Sequence, residues 1–289
     1  MGPDALLLVI TGALLHATWN FFAKKASAGG LRFIWLSGLV SLVAAAPFGW
    51  AAWNAQGAPL STLAWIVIVA SAFIHVVYSL VLQHGYRKSD FSVVYPMARG
   101  TGPLFSVFGA VLLLGEAPNL PGWLGIGALL VGIFLIADGM RLFSPTPRTL
   151  TGVIWGGATG LCIASYTVLD GWAVKDLGIA PVLFYILGLA FRSVMLAPFA
   201  LSDRGAVAAQ WRLNRRFAIV VGLLSPLAYT LVLIAMTRAP LSYVAPVREV
   251  SMLVGVFIGG RLLGESLSLP RIAGTLAMVG GVALLAWAG

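Results

Sequence analysis

Five ionisable side chains interrupt otherwise apolar stretches of this 289-residue chain, and they are the first candidates for chemistry. The set is Arg99, Asp170, Arg192, Arg248 and Glu249. A guanidinium group presents a planar fork of donors that suits a carboxylate or a phosphate, so the arginines could bind an anionic solute. Alternatively, Glu249 or Asp170 neutralises an arginine, and the pair only holds helices together. Both interpretations stay open at the level of the sequence.

A second group of polar and aromatic residues recurs at spacings of three or four. Such spacings keep two side chains on one helix face, so we expect these faces to line one water-accessible space. The alternative is hydrogen bonding between packed helices. His16 or His75 could also relay protons, because imidazole titrates near neutrality. The predicted substrate-binding residues are Asn20, His75, Tyr78, Tyr95, Arg99, Tyr166, Tyr229, Arg248 and Glu249.

Two prolines lie close to these arginines in sequence. Pro96 precedes Arg99, and Pro246 precedes Arg248. Proline removes a backbone donor and interrupts the helical hydrogen-bond ladder. Freed backbone groups at membrane depth are tolerated where they line a cavity or a hinge. Pro96 and Pro246 are therefore predicted hinges, with a simple packing kink as the alternative.

The composition places these residues in a membrane. Hydrophobic residues make up 60% of the chain and charged residues 9%, whereas soluble domains have about 45–50% and about 25%. Apolar segments of about 20 residues, long enough to cross a bilayer, recur along the whole length. The net charge of +9 is explained by basic loops and not by nucleic-acid binding. The lone Cys162 excludes disulfides and thiolate metal sites, and no cofactor motif is present, so we expect no cofactor and no metal.

The chain is expected to be all-α, with ten transmembrane helices in two copies of one framework. Both copies carry Leu-Leu-Gly-Glu, and Arg99 precedes Glu116 by the same 17 residues that separate Arg248 from Glu265. This is an internal duplication, with repeats at residues 1–143 and 149–289. Both glutamates are expected to tie a short loop to neighbouring amides. The predicted helices are 4–23, 31–53, 62–84, 91–114, 121–139, 150–172, 180–201, 215–236, 241–263 and 270–288.

The basic residues predict how the helices are oriented. Thirteen lysines and arginines fall in the loops after helices 1, 3, 5, 7 and 9, and only Lys175 and Arg238 fall in the alternate loops. Positive-inside bias places the basic loops in the cytoplasm and both termini outside. Because each half has an odd number of helices, the second repeat inserts inverted. The site of such a carrier lies near the bilayer midplane, between the repeats.

These features together resemble the EamA branch of the drug/metabolite transporter superfamily. The resemblance rests on the two five-helix halves, on Leu-Gly-Glu followed by proline and glycine in each, and on the first helix, which reads His16-Ala-Thr-Trp-Asn20-Phe-Phe-Ala-Lys24. It implies a ten-helix carrier whose central cavity is bounded by helices 1, 3, 4, 6, 8 and 9. Relatives include amino-acid exporters. Many of them keep both termini in the cytoplasm, in conflict with the loop charges, and a reporter fused to Gly289 would decide.

The sequence therefore predicts a secondary transporter of small polar metabolites rather than an enzyme. The favoured activity is amino-acid export by alternating access, from the plasma (bacterial inner) membrane. The expected partners are the lipid bilayer and a small solute, without nucleic acid. One alternative is a carrier of phosphorylated or phosphonate anions, which paired arginines would suit. A remote alternative is an intramembrane enzyme acting on lipid phosphates.

Overall fold

The protein is helical throughout the part that its structure, a computed structural model, describes: residues 1–136, 147–254 and 268–288. No strand occurs within these ranges. The predicted join at 144–148 and helix at 241–263 fall partly outside them, and Glu265 falls wholly outside. The helices are α1 (Pro3–Lys25), α2 (Gly30–Ala55), α3 (Thr62–Lys88), α4 (Phe91–Leu113), α5 (Leu120–Ile136), α6 (Pro147–Lys175), α7 (Pro181–Ala200), α8 (Arg204–Met236), α9 (Leu241–Val247) and α10 (Leu269–Trp287).

Most of these helices are long and apolar enough to cross a bilayer. Seven of them meet that standard by length and composition: α1, α2, α3, α6, α7, α8 and α10. The apolar α5 is described over 17 residues. The 23 residues of α4 include the polar Tyr95, Arg99 and Thr101. Large apolar side chains such as Val43 and Val194 lie on the outer surface, 75% and 70% exposed, as expected where lipid covers them.

The helix α8 is longer than the sequence predicted. It begins at Arg204 instead of residue 215, and the Asp203 carboxylate caps it by accepting the backbone N–H of Ala206 at 2.9 Å. Its 33 residues rise about 50 Å, well beyond a hydrocarbon core of about 30 Å. Residues 204–214 are too polar to lie in lipid, so a search for apolar spans assigns them to a loop. They form a helix that extends out of the membrane.

The pairing of α5 with α10 shows that the two repeats are inverted. These helices are antiparallel and touch through their backbones at two levels. A Cβ atom on Gly132 would lie 2.7 Å from the carbonyl oxygen of Gly274, and one on Gly281 would lie 2.8 Å from that of Gly125. In the duplicated sequence Gly125 corresponds to Gly274 and Gly132 to Gly281. The contact of Gly132 with Gly274 and the contact of Gly281 with Gly125 are therefore the same contact seen from the two repeats. A two-fold axis between the helices requires this equivalence.

The other helix pairs follow the same symmetry. The packing of α1 on α8 corresponds to that of α6 on α3, and the packing of α2 on α8 corresponds to that of α7 on α3. Elements of the first half therefore pack mainly on elements of the second half. The protein is an all-α polytopic membrane protein built from two inverted five-helix repeats. The helices α3, α4, α6, α7 and α8 and the segment after α9 meet between the repeats.

One face of the bundle holds both chain ends, and several polar contacts join the halves there. We call it the terminal face. At its centre the Glu116 carboxylate accepts the backbone N–H groups of Leu241 and Ser242, at 2.7 and 2.8 Å. The prediction that Glu116 ties neighbouring amides is confirmed. Three further polar contacts cross here: Asp4 with Arg238 at 3.1 Å, Gln56 with Gly178 at 3.1 Å and Asn119 with Ala288 at 2.9 Å.

Candidate functional site

Two carboxylates are buried where the repeats meet. Asp170 lies on α6 and is 0% exposed, and Glu249 lies in the 3₁₀ turn Arg248–Val250 after α9 and is 1% exposed. A buried carboxylate is stable only when it is paired, hydrogen-bonded or protonated. Glu249 is paired with arginines, whereas Asp170 is hydrogen-bonded to uncharged side chains and to His75.

Glu249 is neutralised by two arginines. Its Oε2 atom lies 3.1 Å from Nη1 of Arg99, and its Oε1 atom lies 3.7 Å from Nε of Arg248. Arg99 also donates from Nη2 to the hydroxyl of Ser251 at 3.3 Å. Arg99 comes from α4 in the first half, so the triad joins the two halves. The structural ion pair considered as an alternative is thus present at Glu249.

Asp170 is surrounded by hydrogen-bond donors instead. Ser71 donates to Oδ1 at 2.5 Å, Tyr229 donates its hydroxyl proton to Oδ2 at 2.6 Å, and Nε2 of His75 lies 3.3 Å from Oδ2. Among the residues that the structure describes, no arginine or lysine lies within 4.0 Å of this carboxylate. The idea that Asp170 neutralises an arginine is therefore wrong. Its neighbours on α3 and α8 place it in a separate polar cluster.

Aromatic rings pack around Asp170 and its partners. His75 stacks on Tyr166 at 3.9 Å between ring centroids, and Tyr78 meets Tyr166 edge-on at 5.7 Å. Tyr185 on α7 lies 5.8 Å from Tyr229. These rings supply flat apolar surfaces and hydroxyl groups at the same place. Such a wall can contact both the apolar and the polar parts of a small molecule.

A third arginine lies beside this aromatic wall. The guanidinium of Arg192 is 5.3 Å from the centroid of the Tyr185 ring, within range of a cation–π interaction. Its Nε is buried, and within the described ranges it has no hydrogen-bond partner. Within the described ranges, Arg99, Arg192 and Arg248 are therefore the arginines near the two buried carboxylates.

Seven of the nine predicted substrate-binding residues lie together, Tyr95 lies at their edge, and Asn20 lies apart. Arg99, Arg248, Glu249, His75, Tyr78, Tyr166 and Tyr229 lie in the clusters described above. Tyr95 is at the edge, where the Arg99 guanidinium lies 5.7 Å from its ring. Asn20 is exposed and donates its amide to the carbonyl of His16 within α1, at 2.8 Å. His16 packs edge-on against Trp19.

Three contributors were not predicted. Ser71 lies one turn before His75 on α3, and Ser251 lies three residues after Arg248. Tyr185 lies two turns before Arg192 on α7, so the two share a helix face. The spacing rule that selected the other candidates could have found all three. Serines are common in membrane helices because they allow close packing, so the residue type alone does not indicate a functional site.

The two predicted hinges differ in their local structure. After Pro246 the α-helical hydrogen bonding gives way to the 3₁₀ turn Arg248–Val250, and residues 251–254 are helical again. A 3₁₀ turn inside a helix is typical of a hinge or of local strain. Pro96, in contrast, lies inside the continuous α4. Both hinges stay predictions, with a break in the α-helix after Pro246 and none in α4 at Pro96.

Comparisons with known proteins agree with this architecture. The family model described as the EamA-like transporter family matches residues 4–137 and 150–287. No curated protein matches the chain. One solved crystal structure, 16% identical, aligns with 98% of this chain and 96% of its own with a TM-score of 0.79, which shows a shared fold. The chain belongs to the EamA-like transporter family, and it is a multi-pass membrane transporter of small molecules and not an enzyme.

Proposed function

We propose that this protein is a secondary transporter of amino acids and similar zwitterionic metabolites. Export through the plasma membrane is the direction that the family resemblance favours. The substrate binds between the proposed halves, residues 1–143 and 149–289, among the residues of α3, α4, α6 and α8 and the segment after α9. The proposal rests on one observation, the mixture of buried charges of both signs beside an aromatic wall.

A zwitterion suits such a site because it carries both charges itself. Its carboxylate can take donors from a guanidinium, and Arg192 has a donor without a partner. Its ammonium can approach the carboxylate of Glu249 or an aromatic face. Tyr166 and Tyr185 supply apolar surface for the rest of the molecule.

A phosphate ester fits less well. Such a dianion would need several uncommitted cations, because phosphate recognition depends on multiple charged donors. Arg99 and Arg248 instead share Glu249, at 3.1 and 3.7 Å. Binding a dianion there would leave the Glu249 carboxylate facing a second negative group. The alternative of phosphorylated or phosphonate substrates is therefore the weaker proposal.

The contacts between the halves support alternating access. Polar contacts join the halves at the terminal face, whereas the side chains of Arg99 and His75 keep 17% and 13% exposure. The 3₁₀ turn after Pro246 carries Arg248 and Glu249, so bending there would move the charged residues themselves. We propose that the basic face, opposite the terminal face, lies in the cytoplasm.

The experiment is a flux assay in proteoliposomes. Purified protein is reconstituted with unlabelled amino acids inside, and the entry of a mixture of labelled L-amino acids is followed. Unlabelled L-alanine, L-phenylalanine, L-glutamate and L-lysine then compete against glycerol 3-phosphate and glucose 6-phosphate. We expect competition by amino acids and none by the phosphate esters.

Variants connect the flux to the site. Arg248→Gln removes one buried cation and is expected to abolish exchange while the protein still folds. Arg212→Gln removes an exposed cation from the protruding end of α8 and should leave exchange unchanged. Exchange that is inhibited only by phosphate esters would overturn the amino-acid assignment. Full exchange by Arg248→Gln would overturn the site.

A further inference from the structure

We propose that Asp170 and His75 form a binding site for a proton, and that this proton couples to transport. The inference rests on the proposed transport function, but it concerns a different cluster from the Arg99, Glu249 and Arg248 triad. The site has four members, Ser71, His75, Asp170 and Tyr229, and we call it the Asp170 cluster. Two members come from the first half and two from the second.

Burial requires that something offset the charge of Asp170. The residue is 0% exposed, and among the described residues it has no lysine or arginine within 4.0 Å. An ionised carboxylate in that position is held by hydrogen bonds alone, and a proton removes the remaining cost of burying its charge. His75 is the one titratable base within reach, with Nε2 at 3.3 Å from Oδ2. A single proton, on the carboxyl or on the imidazole, satisfies the pair.

The surrounding atoms fit a proton better than a metal ion. Ser71 and Tyr229 reach the carboxylate as hydroxyl donors, at 2.5 and 2.6 Å. Hard metal cations require several oxygen ligands with lone pairs turned inward. Within the described ranges no group of three histidine, cysteine, aspartate or glutamate side chains is placed to hold a metal. Because both hydroxyl groups donate to the one carboxylate, we assign the site to a proton and not to a metal ion.

Other charged and titratable groups face the cluster from every neighbouring helix. Tyr166 on α6 stacks on His75. Arg192 on α7 lies beside Tyr185, whose ring packs on Tyr229, and Arg248 lies in the turn after α9. The remaining groups are Tyr78 on α3, Arg99 on α4, Tyr185 on α7, and Glu249 after α9.

The cluster joins the halves that must move. Ser71 and His75 are on α3, whereas Asp170 and Tyr229 are on α6 and α8. Bonds from these donors to an ionised carboxylate are charge-assisted and roughly twice as strong as neutral ones. Adding a proton to the carboxylate removes that assistance and loosens α3 from the second half. The protonation state therefore biases the relative position of the halves.

The cluster has no copy in the other half. Tyr78-Ser-Leu-Val-Leu corresponds to Tyr229-Thr-Leu-Val-Leu, which places Gly222 at the counterpart of Ser71 and Pro226 at that of His75. Neither residue can donate a side-chain hydrogen bond. Within the described ranges, the symmetry of the scaffold therefore does not duplicate the Asp170 cluster.

The first test reads protonation directly and needs no solute. The chain has only three histidines, His16, His75 and His84, so ¹⁵N-histidine NMR in micelles gives three assignable imidazoles. We expect the pH titration of His75 to shift in Asp170→Asn and to stay the same in Asp176→Asn, a matched change at an exposed aspartate. Infrared difference spectra should show a carboxyl band on acidification that Asp170→Asn lacks.

The second test separates proton coupling from transport itself. Exchange of labelled L-amino acids needs no net proton movement, whereas accumulation driven by a pH gradient does. We expect Asp170→Asn to lose pH-driven accumulation and to make the rate of exchange independent of pH, whatever that rate is, whereas Asp176→Asn keeps both properties of the unaltered protein. If the NMR titration of His75 is the same in Asp170→Asn as in the unaltered protein, the proton site is overturned, even if amino acids are transported. Absence of amino-acid exchange in the unaltered protein would instead overturn the proposed function, and the NMR result would still decide the proton site.

Discussion

The buried triad of Arg99, Glu249 and Arg248 gives a quantitative prediction for Glu249→Gln. At separations of 3.1 and 3.7 Å, Coulomb's law with an effective dielectric constant near 20 gives about 4–5 kcal/mol for each contact. Much of this is offset by desolvation of the charges. Breaking a buried ion pair from one side costs about 3–5 kcal/mol, because the remaining charge stays buried. Glu249→Gln leaves two such charges, and we expect a loss at the upper end of that range.

The geometry also predicts an order among the variants. Arg99→Gln should destabilise less than Glu249→Gln, because Glu249 keeps Arg248 as a partner at 3.7 Å. The double variant Arg99→Gln/Glu249→Gln should be more stable than Glu249→Gln alone, because only Arg248 then remains as a buried cation without its carboxylate. The exposed Arg212→Gln serves as the control, with a change within about 0.5 kcal/mol.

Unfolding by SDS in mixed micelles measures these free energies, followed by far-UV circular dichroism. The order of stability among the variants is more informative than any single value, since micelle effects cancel. If Glu249→Gln unfolds like the unaltered protein, or if Arg99→Gln is the costlier change, the triad is not a coupled buried network. The charge argument for the site would then be lost.

Two further predictions concern the scaffold. Gly132→Ala places a methyl group 2.7 Å from the carbonyl oxygen of Gly274 and should lower the free energy of unfolding by about 1–3 kcal/mol. The control Gly127→Ala, with no neighbour within 4 Å, should leave it unchanged. Equal melting temperatures for the two variants would contradict the close contact of α5 with α10. Glu116→Gln weakens the bonds to two backbone amides at the terminal face, so hydrogen exchange at Leu241 and Ser242 should accelerate. Unchanged exchange rates would show that this face is held by other contacts.

The sequence predicted the fold well because its evidence is repeated and local. The duplicated spacing from arginine to glutamate, the apolar segments and the odd helix count per half were enough for two inverted repeats. It failed at the start of α8, where Arg204 to Arg216 look like a loop by charge. The aspartate cap and a helix that leaves the membrane make that segment helical, and neither is visible in a hydropathy pattern.

The site was predicted less completely than the fold. One-turn spacing selected His75 and Tyr166, whose rings the structure brings together next to Asp170. It could not tell which carboxylate meets the arginines, since Glu249 and Asp170 are both plausible until α3, α4 and α6 are packed. Contacts between helices depend on rotation and height, and a single sequence carries neither.

The glycine contacts between α5 and α10 also determine where the molecule does not deform. Sliding either helix by one residue would bring a side chain onto a carbonyl oxygen of its partner, at Gly132 or at Gly281. Spin labels on the lipid side of these two helices should therefore keep one narrow distance distribution in every state. A pair across α1 and α8 should broaden or shift when solute is added. The α5 and α10 pair provides the fixed internal reference against which every other displacement in this protein is measured.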